Sequence, residues 1–470
     1  MNGLSVKEII DITNGSLLKI CEKNKEDILN IKIDNIALDS RKTDRGSLFV
    51  ALPGEKTDGH KFIPSVAAGA VLVQKDEKEI LAVSGAESLS DTTAYIRVDN
   101  TSDALKKIGA FARGLYKNKI VGVTGSVGKT TTREMIAHAL SASVKTFQTK
   151  GNMNSQLGVP VTLFNMSMEP SDVAVLEMGI SVPGEMDNLT AMVRPDIAAV
   201  TMIGVAHIEF MKDQVGIRTE KLKIIDRMDE NGVVFLNADD PLLFEMKDKL
   251  KVKTLFYGTN PEADYIAENI RTEDGFSVYE FVHGDKKHTV KLSALGKHNV
   301  LNSLVAMAIC DYLGYDLDVT ARSFESFKGL RQRVINSDKG YTIIDDTYNA
   351  SPDSMKAALN VLSDMNCKRK IAVLGDMFEL GQDSDRYHKE VGEYIFEKTE
   401  KNGSFIDELI TIGESSKLIA EGTGNAAKTI SFASKEEAVK YISDVLTSGD
   451  SILFKASNGM KLSTIVEEIL

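Results

Sequence analysis

The segment that most narrows what this chain can become is VGVTGSVGKTTTREM, residues 121 to 135. Ile120, Val121 and Val123 form a short β-branched run suited to a buried strand, Gly125 to Gly128 allow a tight turn, and TTTREMIAHAL reads as a helix. Strand, glycine turn and helix start, in that order, are the parts of a loop whose backbone N–H groups cradle phosphate oxygens. The general spacing G-x-x-x-x-G-K-[ST] fails, because Val123 stands where its first glycine belongs and Gly125 makes only G-x-x-G-K-T. The residue types still predict the chemistry: Lys129 to neutralise phosphates, the Thr130 hydroxyl to reach a bound Mg²⁺. The alternative is a glycine-rich turn carrying a solvated lysine.

A chain of 470 residues makes about three domains. Its 43% hydrophobic and 26% charged content is that of a globular protein. With 56 basic against 68 acidic residues the net charge is −12, and no Lys/Arg block interrupts the acidic background, which excludes a nucleic-acid partner held by phosphate contacts. Cys21, Cys310 and Cys367 have neither metal-site nor disulfide spacing, as expected of a reducing compartment. No segment approaches the ~20 apolar residues of a membrane span, so no membrane insertion is expected and the location is read as cytoplasmic.

The first hundred residues mix short helices and strands, with IDNIALDS and SLFVAL as strands, GEKTDGH as a loop, and Asn100 or Thr101 capping a helix SDALKKIGAFARGLY. From Lys119, the runs KIVGVTG, DVAVLEMG, DIAAVTMIG and VVFLNA have the length and apolarity of buried parallel strands. Residues 264 to 292 alternate like an antiparallel patch, and HNVLNSLVAMAICDYLG reads as a long buried helix. Near Phe327 a third unit begins, in which YTIIDD, KIAVLGD, ELITIGE, TISFA and SILFKA alternate with helical stretches. The expected fold is α/β in three domains: a small mixed one (1–115), a central, mostly parallel sheet with the phosphate loop (116–326), and a doubly wound Rossmann-like one (327–470).

Polar residues cluster where such strands end, the edge on which parallel sheets bind ligands. Glu177 closes DVAVLEMG, placed either to meet a phosphate-bound Mg²⁺ or to cap a turn. His207 and Glu209 follow DIAAVTMIG, where an imidazole serves as a metal ligand or as a structural residue. Asn152, Asn154 and Ser155 orient phosphates or form a turn. Asn299 reads as a nucleobase contact or as a helix N-cap, and Ser351-Pro352-Asp353 as a helix start.

TGSVGKTTT, GNMNSQLGVP, LEMG, AHIEF and GKHNVLN, preceded by DSRKTDRGSLFVALPGEKTDGHKF and followed by DDTYNASPDSM, resemble over nearly the whole chain the Mur ligase family, the ATP-dependent amide-forming enzymes of bacterial cell-wall synthesis. The short G-x-x-G-K-T loop is ordinary for that family. DDTYNASPDSM and VLGDMFELG most resemble the member that joins D-alanyl-D-alanine to UDP-N-acetylmuramoyl-tripeptide. The chain departs from the family pattern at Ser351, which replaces an asparagine, at Ala456, Ser457 and Asn458 within KASNGMKL, and at Lys223, where the family has a glutamate.

The resemblance implies that ATP phosphorylates the tripeptide carboxylate and that the D-alanyl-D-alanine amine attacks the acyl phosphate. It implies an ATP site of Gly125, Ser126, Val127, Gly128, Lys129, Thr130 and Thr131, with Asn299 at the adenine, Asp346 at the ribose and Arg331 at the γ-phosphate. Two Mg²⁺ ions are implied, one held by Thr130 and Glu177, the other by His207 and a carbamylated Lys221. Lys129, Lys221 and His207 are the implied catalytic residues; Ser40, Arg41, Asn154, Tyr348 and Asn349 are implied to contact substrate. Domain closure on ATP and action as a monomer complete the expectation. The rivals are a family member adding a single amino acid, which DDTYNASPDSM opposes, and a nucleotide-gated interaction protein that makes no bond.

Overall fold

The computed structural model describes residues 3–18, 24–54, 57–329 and 331–470; Cys21, and Glu55 and Lys56 of the GEKTDGH loop, lie outside the described residues. In the N-terminal unit, four short parallel strands, Asn35–Ala37, Ser47–Val50, Ala70–Val73 and Ala94–Arg97, lie side by side in that order, with Ser16–Leu17 antiparallel on the last. Asn100 caps the following helix, Thr101–Leu115, its side chain accepting from Asp103 N at 3.0 Å. That helix turns Ala104, Leu105, Ile108 and Ala112 into the N-terminal core, which also takes Val161 and Phe164 from the helix Gly158–Met168. The first unit therefore completes its core with a helix of the second.

The central sheet has nine strands. The apolar runs read from the sequence form its parallel part, in the spatial order Val233–Asn237, Ile197–Val200, Lys119–Thr124, Val173–Glu177. Thr146–Gln148 closes one edge; Lys253–Gly258 extends the other, leading to the antiparallel strands Tyr265–Glu273, Phe276–His283 and Lys286–Leu292. The antiparallel patch is thus an extension of the same sheet. Apolar side chains fill both faces, as a parallel sheet covered by helices requires; Lys129–Ser141 and Lys297–Tyr312 pack together on one of them.

The C-terminal sheet runs Arg333–Asn336, Thr342–Asp345, Asp450–Lys455, Arg369–Gly375, Glu408–Ile412, Lys428–Phe432, parallel except for the first strand, with separate apolar cores on its two faces. The helix Pro352–Asp364 opens at Ser351, whose N–H donates to Ser354 Oγ at 2.9 Å. Among the described residues no helix is long and apolar enough to cross a membrane.

The seam between the first two units is tight at Gly109, where an added Cβ would lie 2.6 Å from Pro160 Cα and 2.8 Å from its Cβ. Gly109→Val is expected to cost about 1–3 kcal/mol of stability through overpacking. The check is the urea midpoint followed by circular dichroism; a midpoint equal to that of the parent chain would show that the seam yields freely.

Candidate active site

The register of the central sheet builds the site. Val123 pairs with Glu177 on one side, and Thr124 pairs with Val200 on the other, so the segments that leave these three strands emerge side by side. The loop at 125–128 is strapped to its neighbours: Ser126 N donates to Met202 O at 2.8 Å, Thr201 Oγ1 to Val127 O at 2.5 Å, and Thr124 Oγ1 to Met178 O at 2.8 Å. Gly125 has φ +147°, and a Cβ there would sit 1.8 Å from Thr201 Oγ1, so only glycine fits. Gly128, at φ +85°, starts the helix Lys129–Ser141 without any side-chain cap, leaving the helix N-terminus for an anion. Lys129 Nζ folds back onto the carbonyls of Gly125 (2.9 Å) and Ser126 (3.2 Å). Burial draws its pKa below the ordinary lysine value despite the pull of Glu177, and the Arg331 charge adds to the effect.

Glu177 is neither a cap nor a solvated turn, being 1% exposed. Its Oε1 accepts from Asn154 Nδ2 at 2.6 Å and Thr130 Oγ1 at 3.1 Å, while Oε2 has no hydrogen bond among the described residues and faces Arg133 Nε at 3.6 Å. A buried carboxylate oxygen without a donor, beside a threonine hydroxyl and lining the cavity, fits an oxygen-seeking cation such as Mg²⁺. Clusters of three or more His, Cys, Asp or Glu are absent among the described residues, so this donor set includes a hydroxyl. His207, at φ +62°, lines the same cavity; burial and the Lys129 charge lower its pKa. Lys221 lies on the helix Gln214–Leu222 and is 1% exposed, which rules out a solvated lysine. Burial first, and then the Lys129 charge, push it well below the usual lysine range.

The C-terminal unit supplies the facing wall of a cavity of about 1520 Å³. The Arg331 guanidinium stacks 4.0 Å over the Tyr348 ring, and Asp346 Oδ2 lies 2.6 Å from Lys455 Nζ, which also donates to Asn349 O at 3.0 Å. The two units touch directly: an added Cβ at Gly204 would lie 2.3 Å from Asp353 Oδ2.

The cavity is lined by Ser126, Val127, Gly128, Lys129, Thr131, Asn154, Glu177, His207, Asn299, Arg331, Asp346, Tyr348 and Asn349. Gly125, Thr130 and Lys221 lie behind that lining, and Ser40 and Arg41 do not reach it; the Arg41 side chain is 85% exposed and paired with Asp39 at 2.7 Å. Asn299 is not an N-cap, that position being Gly296. Its Nδ2 donates to Leu295 O at 2.8 Å and Gln332 Oε1 at 3.1 Å, and its Oδ1 accepts from Asn302 Nδ2 at 3.3 Å. Sequence reading missed Arg133, Lys455, His298 and Glu379. All four lie within stretches already singled out, but the partners of Lys455 and Glu379, Asp346 and His207, are more than a hundred residues away in the chain.

His298, at the cavity wall, is lowered to about 4 by burial, against the opposing pull of Asp346. The unfolded chain takes up this proton near pH 6.5 and the folded chain only near 4, so stability contributed by the neutral ring is complete above 6.5 and lost as pH falls through about 4. The urea midpoint of the parent chain should therefore fall more steeply over that window than that of His298→Gln; parallel profiles would remove His298 as the cause.

Three family models match along the chain: "Mur ligase family, catalytic domain" at residues 32–113, "Mur ligase middle domain" at 123–310, and "Mur ligase, glutamate ligase domain" at 330–458. The UDP-N-acetylmuramoyl-tripeptide–D-alanyl-D-alanine ligase of Bacillus subtilis (strain 168) is 34% identical over 99% of this chain and 98% of its own. The solved MurF of Acinetobacter baumannii superposes with a TM-score of 0.85 at 28% identity, covering 99% of this chain and 98% of that one. MurF of Thermotoga maritima, solved in complex with ADP, gives 0.79 at 29% identity over 93% and 96%. Family models in sequence along the chain, and a relative matched nearly end to end, carry the conclusion that this chain belongs to the Mur ligase family.

Proposed function

We propose that the protein is an ATP-dependent ligase that joins D-alanyl-D-alanine to UDP-N-acetylmuramoyl-tripeptide, a step of peptidoglycan precursor synthesis. The observation that carries an ATP-driven ligation is the cavity in which Lys129, Glu177 and His207 of the central unit face Arg331 and Asp346 of the C-terminal unit. The substrate pair is that named for the ligases of Bacillus subtilis and Escherichia coli, which this chain matches nearly end to end. On this reading the enzyme is a cytoplasmic monomer. Residues 1–115 take the UDP part of the substrate, with Ser40 and Arg41 among its contacts; 116–326 hold the ATP phosphates; 327–470 close on the nucleotide.

The tripeptide carboxylate attacks the γ-phosphorus of ATP, ADP leaves, and an acyl phosphate forms. The neutral amine of D-alanyl-D-alanine then adds to the acyl carbon, loses a proton and expels inorganic phosphate, leaving the amide. Carboxylate and triphosphate are both anionic, so the protein's task is to crowd cations and dipoles where charge gathers. The free helix start at Gly128 and the Lys129 ammonium serve the β- and γ-phosphates, Arg331 the γ-phosphate, Asn299 the adenine and Asp346 the ribose. Asn154, Tyr348 and Asn349 line the approach of the carboxylate and the amine. Thr130 and Glu177 would hold one Mg²⁺, and His207 with Lys221 a second; when bound, the ions screen the phosphate charge and align the reacting oxygens.

An ammonium at Lys221 repels a cation, but burial favours its neutral amine, which adds to CO₂ with loss of a proton to give an anionic carbamate. Under ¹³CO₂ the parent chain should show a carbamate carbon resonance that Lys221→Ala lacks. Lys221→Ala should also be nearly inactive and partly restored by acetate. Full activity without Lys221 would sink this assignment.

The function itself is tested by incubating the purified chain with ATP, the nucleotide tripeptide and D-alanyl-D-alanine, following amide product by mass spectrometry and ADP release. ADP should accumulate only when both acceptors are present, and Lys129→Ala should abolish ligation while the UDP substrate still binds by calorimetry. Hydrolysis indifferent to both acceptors would instead mark a nucleotide-gated switch.

A further inference from the structure

Glu379 belongs to a turn of the C-terminal unit that is held from two sides. Met377 N donates to His388 Nε2 at 2.9 Å, and the His388 ring is itself fixed by Nδ1 against Ser384 O at 2.8 Å. Phe378 N donates to Ser457 Oγ at 2.9 Å. The chain then passes through Glu379 at φ +62°, a backbone conformation that costs energy for a residue with a Cβ and persists only where surrounding contacts demand it. Two residues on, an added Cβ at Gly381 would lie 3.2 Å from Glu209 Cβ, so the turn rests directly on the helix Ile208–Met211 of the central unit.

The side chain that this strained turn sends across the cleft meets His207, which also has φ +62°. Glu379 Oε2 lies 2.6 Å from His207 Nδ1, close enough for a hydrogen bond but not aligned as one, and among the described residues Nδ1 has no other partner. Catalytic hydrogen bonds are commonly misaligned before substrate arrives and tighten in the loaded complex. A neutral imidazole carries its proton on one nitrogen, and a carboxylate beside Nδ1 selects the Nδ1–H form, turning the Nε2 lone pair outward.

We propose that Glu379 is a positioning residue for His207, carried across the cleft by the C-terminal unit, which holds Nδ1 and so leaves Nε2 as the acceptor presented to the cavity. Docking of the two units then does more than enclose the nucleotide, because it sets the tautomer and orientation of a central-unit side chain. This role rests on the function proposed above only for its kinetic consequence. The tautomer itself needs no substrate.

The test compares the parent chain with Glu379→Ala and Glu379→Gln by ¹⁵N-histidine NMR and by steady-state kinetics, the His207 signals being assigned by their loss in His207→Gln. The Glu379 side chain is 57% exposed, so neither variant opens a cavity. In the parent chain His207 should carry its proton on Nδ1, and in Glu379→Ala the signals should move toward a mixture of tautomers. Loss of a carboxylate that orients a site histidine typically costs about 10–100-fold, so kcat of Glu379→Ala should fall by that order with KM for ATP changed less than about twofold. Glu379→Gln, whose Oε1 can accept from the same N–H, should restore the Nδ1–H tautomer and most of kcat. An unchanged His207 tautomer in Glu379→Ala, even with a lowered melting temperature, overturns the proposal, as does kcat equal to that of the parent chain. If the parent chain forms no amide product the functional reading fails, while the tautomer comparison still decides the role of Glu379.

Discussion

The Glu177 carboxylate is the interaction on which the site depends. A charge with almost no access to water is tolerated only where donors and opposite charge surround it, and two separate segments converge to supply them. Thr130 comes from the phosphate-loop helix, Asn154 from the segment after the edge strand Thr146–Gln148, and Arg133 from one helical turn beyond Thr130. Arg133 is also tied to Gln148 Oε1 at 3.1 Å and to Thr149 O, so the same cation joins the carboxylate to the end of that edge strand. The geometry of the loop, the helix start and the strand edge is therefore one solution to a single buried charge.

The other half of the cavity is built from contacts between units. Lys455, buried at the end of a C-terminal strand, fixes Asp346 and the Asn349 carbonyl, while Arg331, just past the junction of the units, is stacked on Tyr348. Against these stands Lys129, whose charge lowers the pKa of both Lys221 and His207. A site so crowded with cations is suited to polyanionic ligands, and the C-terminal unit contributes carboxylates as well as an arginine to its balance.

The departures from the family pattern have local physical accounts. Lys223 pairs with Asp187 at 2.7 Å and with Glu220 at 2.8 Å, and Glu220 also accepts from Gly184 N and Met186 N. The lysine thus joins a structural clamp on the helix Glu185–Val193 rather than reaching the cavity lining. Ala456 packs where a Cβ on Gly375 would come within 2.7 Å of it, so the glycine on the neighbouring strand makes room for the alanine methyl. Ser457 has the further task of holding Phe378 N, and Asn458 still lines the cavity.

Local sequence was enough to show the strand, glycine turn and helix of the phosphate loop, the apolar runs of both large sheets and a helix cap at Asn100 or Thr101, because each depends on neighbours a few residues apart. The resemblance of short motifs supplied the roles proposed for Lys129, Glu177 and His207. What sequence did not show is spatial order. Nothing near residue 120 says that its strand lies between Val173–Glu177 and Ile197–Val200, yet that order brings Thr201 against Gly125 and Glu177 beside Thr130. Lys221 and Lys223 are alike in sequence, and only packing buries the first while leaving the second within reach of Asp187. Side-chain partners such as Glu379 with His207, and Lys455 with Asp346, are separated by long stretches of chain. Elements arise from short-range periodicity, which sequence carries, whereas the site arises where the central and C-terminal units meet, and that is decided by which surfaces bury one another.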